Sequence, residues 1–107
     1  MKTNNIVCYI GFAIKSSHCI FGIEDIIAKR KRKHLIIVSS SLAEKPLVKL
    51  KEFAVEYKIP LLITTQSLED MVHKVGIKVI AITDKNLAEA ILKNAGEEYK
   101  LEVNLID

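Results

Sequence analysis

Leu35-Ile36-Ile37-Val38 narrows the folds open to this chain more than any other segment. Four apolar residues in a row, mostly β-branched, leave no polar side for water. A strand made of them is covered on both faces, which requires a helical layer above and below its sheet. Residues 60–64 and 79–82 repeat the pattern as Pro-Leu-Leu-Ile-Thr and Val-Ile-Ala-Ile. Strands of this kind predict an α/β fold, a three-layer α/β/α sandwich. Composition agrees: 50% of the residues are hydrophobic but only 6% aromatic, with no Trp, so the core is expected to be aliphatic.

Between the strands the apolar spacing switches to that of helices. Ile6, Val7, Ile10 and Ala13 recur at helical spacing behind N-cap candidates at Thr3, Asn4 and Asn5. A short strand is expected over Cys19–Phe21, and Gly22 opens a second helix carrying Ile23, Ile26 and Ile27. A third helix starts either at the box Ser41-x-x-Glu44 or with Pro46 in its first turn, and its stripe is Leu47, Leu50, Ala54 and Tyr57. Ser67 caps a fourth helix with Leu68, Met71, Val72 and Val75 inside and Gly76 as its stop. Asp84 caps a fifth bearing Leu87, Ala88, Ile91 and Leu92, which Gly96 ends. Residues 99–105 alternate, with Leu101, Val103 and Leu105 to one side, and predict a half-buried edge strand.

At 107 residues the chain fits one domain over residues 1–96, with residues 97–107 as a C-terminal tail that supplies the edge strand. Sixteen Lys and Arg against 13 Asp and Glu give a net charge of +3, which permits nucleic-acid binding without requiring it. Cys8 and Cys19 lack Cys-x-x-Cys or zinc-site spacing and read as small buried thiols, pointing to a reducing, cytoplasmic setting. Lys2 before the apolar stretch 6–14 faintly resembles a secretory signal, but Lys15 follows at once and no small-x-small site comes after it. That stretch also falls far short of the ~20 residues needed to span a bilayer. It is expected to be the first amphipathic helix, and no membrane partner is expected.

Catalysis finds no support in the residues. Gly11, Gly22, Gly76 and Gly96 never fall as Gly-x-Gly, so neither a dinucleotide fingerprint nor a P-loop is present, and no Gly-x-Ser-x-Gly elbow occurs. His18, His34 and His73 are scattered. Glu24-Asp25 and Glu97-Glu98 are neighbours one apart, which on a helix do not face each other and make poor acid/base couples. No cofactor or metal is expected. Ser39-Ser40-Ser41 follows the carboxyl end of a buried strand, where α/β sheets bind ligands, so its hydroxyls and N–H groups are a candidate phosphate cradle. An N-cap and turn is the simpler reading. Lys29-Arg30-Lys31-Arg32-Lys33 sits at a helix C-terminus, where cations favour the macrodipole, and lies at the opposite end from Ser39 and Gly22. It reads as a solvated helix end, with non-specific phosphate contact as the alternative.

The order of segments resembles a known family. Gly11-Phe12-Ala13 lies in the first helix, Gly22 opens the second, and Lys33-x-Leu35-Ile36-Ile37-Val38 follows. Then come Glu56-Tyr57-Lys58-Ile59-Pro60, Met71-Val72 with Gly76 beyond, and Ala81-Ile82-Thr83-Asp84. Together, over residues 6–93, they resemble the ribosomal protein L-seven-Ae/L-thirty-e family, especially its small bacterial members. The resemblance implies a mixed sheet inside the sandwich and a non-catalytic, RNA-binding function, with the ribosome as an implied partner. Its ligand is kink-turn RNA, a bulge flanked by sheared G·A pairs, whose splayed bases offer edges that an A-form major groove hides.

Members of this family read the G·A pairs with a Gly-x-Asn-Glu motif at the start of the second helix, where an amide both donates and accepts at base edges. The matching stretch is Gly22-Ile23-Glu24-Asp25. Asp25 keeps an acceptor on a shorter arm, whereas Glu24 removes the donors that Asn supplies and adds negative charge. The motif's later Lys falls at Ala28, one step before Lys29, and Val72 replaces a usual glycine. The second family contact, an apolar loop, corresponds to a shortened Gly76-Ile77-Lys78-Val79, so Ile77 and Val79 are expected to pack a flipped-out nucleotide. The expected RNA-binding set is Gly22, Glu24, Asp25, Lys29, Ser39, Ser40, Ser41, Ile77, Lys78 and Val79. Because the departures fall on the RNA face, the other reading is an interaction module that kept the fold, lost the RNA site and pairs as a homodimer through its C-terminal strand.

Overall fold

The computed structural model of the chain describes residues 5–103. Its elements are α1 (Asn5–Lys15), β1 (Cys19–Phe21), α2 (Ile23–Ala28), β2 (Leu35–Ser39) and α3 (Glu44–Tyr57), then β3 (Leu61–Thr64), α4 (Leu68–Val72), β4 (Val79–Ile82), α5 (Lys85–Asn94) and β5 (Tyr99–Val103). The strands form one mixed sheet in the order β1-β4-β2-β3-β5. β2 and β3 are parallel, joined by the α3 crossover that such a pair requires. β4 runs antiparallel to both β1 and β2, and β5 antiparallel to β3.

Successive strand residues alternate between two cores. Leu35 and Ile37 of β2, with Ile80 and Ile82 of β4, pack under α1, α4 and α5 against Ile6, Ile10 and Ile91. Ile36, Val38, Val79 and Ala81 pack under α2 and α3 against Ile26, Leu50 and Ala54. β2 and β4 are therefore buried along their whole length. This is the α/β/α sandwich expected from the apolar run, in which each fully buried Ile or Leu contributes about 1.5–3 kcal/mol. Side-chain caps start two of the helices: Ser67 Oγ accepts from Asp70 N at 3.2 Å, and Asp84 Oδ1 from Leu87 N at 2.9 Å. Among the described residues no helix is long and apolar enough to cross a membrane.

Several local expectations change. Ala43, not Ser41, is the N-cap of α3, without a side-chain bond, so the helix starts with Pro46 in its first turn. Tyr57 leaves the expected stripe and is 59% exposed, because at that level of α3 the facing chain is the 29–33 segment, which leaves a hollow beside it. α4 stops at Val72, four residues before Gly76, since His73 turns left-handed (φ 56°) and its N–H donates to Glu69 O. Val75 is consequently in solvent. In β5, Tyr99 points inward, its hydroxyl donating to Gln66 Oε1 at 3.1 Å, whereas Leu101 is 37% exposed. A register shift opposite Leu61 and Leu62 accompanies that change. Cys8 faces water instead of the core; Cys19 is half-buried, which pushes its thiol up to about 12, and both are free. Thr3, Asn4, Leu105 and the side chain of Val103 lie outside the described residues.

Candidate nucleic-acid interface

The carboxyl ends of β2 and β3 collect most of the expected RNA-binding residues. Gly22 closes β1 and opens α2 with φ 87° and ψ 145°, a conformation L side chains rarely adopt. Its N–H donates to Val79 O at 3.1 Å, and its carbonyl accepts from Ile26 N at 3.0 Å. Ser39 N donates to Lys78 O at 2.8 Å, and the Lys78 ammonium donates to Ser41 Oγ at 2.9 Å. Ser39, Ser40, Ser41, Ile77 and Lys78 line a cleft of about 210 Å³ together with Thr65, Gln66, Ser67 and Glu69. Glu24 and Asp25 stand exposed in the first turn of α2 at the same end.

Two members of the set do not belong there. Val79 is 3% exposed, because it is the first residue of β4 and points into the core under α2 and α3, so it has no surface to offer a nucleotide. Lys29 caps the far end of α2, a full helix length from Gly22. The serine loop also differs from a phosphate cradle. Ser39 N and Ser40 N donate to Lys78 O and Thr64 O, and Ser41 N to Ser39 Oγ at 3.3 Å. Ser39 Oγ and Ser41 Oγ bond each other at 2.8 Å. Two of its N–H groups are thus spent on holding β2, β3 and β4 together and the third on closing the loop on itself, which is the turn of the simpler reading. Carboxylates surround this end: Glu24, Asp25, Glu69, Asp70, Glu97 and Glu98, with Glu69 accepting from Gly76 N. Lys74 lies here too, its ammonium 4.9 Å from the centre of the Phe21 ring.

The amino ends of β2 and β3 have the opposite character. Lys33 is only 8% exposed, with its ammonium donating to Lys29 O and lying 5.6 Å from the centre of the Phe53 ring. Burial holds its pKa below the ordinary lysine range. By turning inward it ties the 29–33 segment back on itself and leaves Lys29, Arg30, Lys31 and Arg32 in water. Lys31 is further held to Ser17 O at 3.3 Å. Facing them, Phe53 and Tyr57 stack with ring centres 4.7 Å apart at 46°. The basic segment and this pair line an open hollow of about 510 Å³, floored by Ile27 and Ile59 and lined by no carboxylate. The ion pairs among the described residues lie elsewhere, joining Glu102 to Lys51 and Lys100 at 3.3 Å each. The sequence carried one signal for this hollow, the i, i+4 aromatic spacing of Phe53 and Tyr57 on α3. Nothing local in it distinguished Lys33 from its exposed neighbours.

No protein-family model matches the chain, and no curated protein matches it. Among solved structures it is similar to one described as a protein with unknown function from Bacillus halodurans C, with a TM-score of 0.78. The two share 19% identity over 86% of this chain and 97% of the other. At that identity the likeness shows a common fold and nothing about activity.

Proposed function

We propose that this chain is a non-catalytic RNA-binding protein of the kind its resemblance to the L-seven-Ae/L-thirty-e family implies, taking a structured RNA such as a kink-turn at the carboxyl end of its parallel strands. The supporting observation is convergence. The Gly22 turn, the loop of Ser39, Ser40 and Ser41, and the Ile77-Lys78 loop are distant in sequence, yet hydrogen bonds from Gly22 N to Val79 O and from Lys78 to Ser41 join them at one end. Ile77, half-buried, supplies the apolar contact without Val79. Lys78 is the exposed cation of the cleft. A cytoplasmic place and the ribosome as partner go with this reading.

Glu24 decides how well such a site reads RNA. A carboxylate in the place of an amide accepts but does not donate, and it repels phosphate. The test is a titration of labelled kink-turn RNA, beside a control with its G·A pairs replaced, against wild type and Glu24→Asn. Binding that collapses on the control, and tightens about tenfold in Glu24→Asn, is expected from one restored base-edge contact. Failure of both proteins to bind would end this reading. A second reading, self-association through β5, draws on the outer position of that strand in the sheet. A monomer by light scattering, with and without residues 95–107, would remove it.

A further inference from the structure

The amino end of the parallel strands presents cations, an exposed aromatic ring and a hollow without acid, and the resemblance assigns it no RNA contact beyond Lys29. We propose that it is a second nucleic-acid site, which holds a single-stranded RNA segment with phosphates along Lys29, Arg30 and Arg32 and a base stacked on Tyr57. A solvated helix end explains the charge alone. It does not explain why Lys33 is buried, tethered to Lys29 O and set against Phe53, an arrangement that fixes the loop and aims the remaining cations outward. Nor does it explain an aromatic ring left 59% exposed beside them when Leu50 and Ala54 of its helix stripe are fully buried.

The occupant follows from those parts. Phosphates are attracted by cations that no carboxylate among the described residues neutralises. A ring at the rim of a recess rewards an unpaired base, which offers a flat face, whereas a duplex keeps its faces stacked inside. An acidic polypeptide would use the cations and leave Tyr57 idle. The site shares only Lys29 with the kink-turn reading and stands whether or not the Gly22 end binds RNA.

The experiment is fluorescence anisotropy of a short labelled uridine-rich single strand with the full chain. Its arms are a duplex RNA of equal length and polyglutamate as competitor, over a salt series. Wild type is expected to prefer the single strand, with log affinity falling against log salt with a slope of roughly −2 for three phosphate contacts. Arg30→Glu with Arg32→Glu should weaken binding by about 100-fold and flatten that slope. Tyr57→Ala, on an exposed side chain, should keep the slope and the melting temperature while weakening binding about tenfold. Unchanged affinity in Tyr57→Ala, tighter binding of the duplex, or equal competition by polyglutamate would each overturn the proposal. Kink-turn binding measured on the same variants separates the two ends: Tyr57→Ala should leave it alone, and Glu24→Asn should leave the single strand alone.

Discussion

The two ends of the sheet share the same strands and differ in what their polar groups have left to give. Where β2 and β3 begin, Lys29, Arg30, Lys31 and Arg32 face water, with Lys58 and Lys85 against Glu56, Asp84 and Glu89 on the flanking elements. Where the strands finish, Glu24, Asp25, Glu44, Glu69, Asp70, Glu97 and Glu98 outnumber Lys45, Lys74, Lys78 and Lys93, and the N–H groups of Ser39 and Ser40 are consumed by neighbouring strands. A net charge of +3 averages over this polarity and describes neither end. On the two proposals, affinity and readout are separated in one small fold: the basic end would draw in an unpaired phosphate chain, whereas the acidic end would admit only an RNA whose base edges offset its charge.

The largest effect that breaks this contrast comes from Lys33. Lys33→Glu would set a carboxylate against Lys29 O and the Phe53 ring, both electron-rich, and should lower stability by about 3 kcal/mol in chemical denaturation. Lys33→Met keeps the stem packing and removes a buried charge that has no carboxylate partner, so stability should hold or rise by about 1 kcal/mol. Its lowered pKa gives wild type one contribution to pH dependence. The folded state binds this proton less readily than the unfolded chain, so Lys33 adds stability as pH rises from that lowered value to the ordinary lysine range, against the opposing contributions of the raised Cys19 thiol and Tyr99 phenol. Lys33→Met should remove that contribution, read as the difference between the two proteins' stability-against-pH curves. The same variant should weaken single-strand binding severalfold, since the loop loses its tether although every exposed cation remains. Undiminished affinity would show that the tether does not position the loop.

Gly22 tests the other end with a smaller effect. An added Cβ meets nothing within 4 Å, so the cost of Gly22→Ala is conformational: φ 87° with ψ 145° belongs almost wholly to glycine. A loss of about 2 kcal/mol is expected on unfolding. Kink-turn affinity should fall with it, while the single strand binds as before well below the melting temperature. Equal losses on both RNAs would mean that the two ends are not independent.

How much of this was legible in the sequence depends on the range of the forces involved. β2 could be read from four residues because burial on both faces leaves a continuous apolar run. The caps at Ser67 and Asp84 could be read because the partner N–H lies three residues on. Tyr57 and Val75 were misplaced because periodicity counts positions along a helix and is blind to where the facing layer ends, or to a left-handed His73. Val79 belongs to the apolar run 79–82, which is a strand as expected, and its burial there removes only the loop contact that the resemblance implies. The opposite placement of Lys29 from Ser39 followed from helix and strand direction alone. The inward turn of Lys33, by contrast, depends on Phe53, a residue from another element, and no local pattern carries it.

The finest probe of the contrast is His34, next to the basic segment. Its pKa is held below the ordinary imidazole value first by burial, then by the Arg32 and Lys85 charges, with Asp84 and Glu89 pulling the other way. In the free protein the unfolded chain therefore binds the proton more readily, so stability falls as pH drops from about 6.5 toward the lowered value. A phosphate seated on Arg32 adds negative charge and offsets part of the cationic push, so the bound imidazole must take up a proton more easily. By linkage, single-strand affinity should then tighten up to a few-fold between about pH 7 and 5.5, a range in which uridine does not titrate. An RNA held at the Gly22 end lies too far away to matter through a screening length of about 8 Å. Ring-proton NMR of His34, titrated free, with the single strand and with the kink-turn, reads all three states at one atom. An upward shift confined to the single strand places its phosphates at Arg32, and no shift would put that strand somewhere else on the protein.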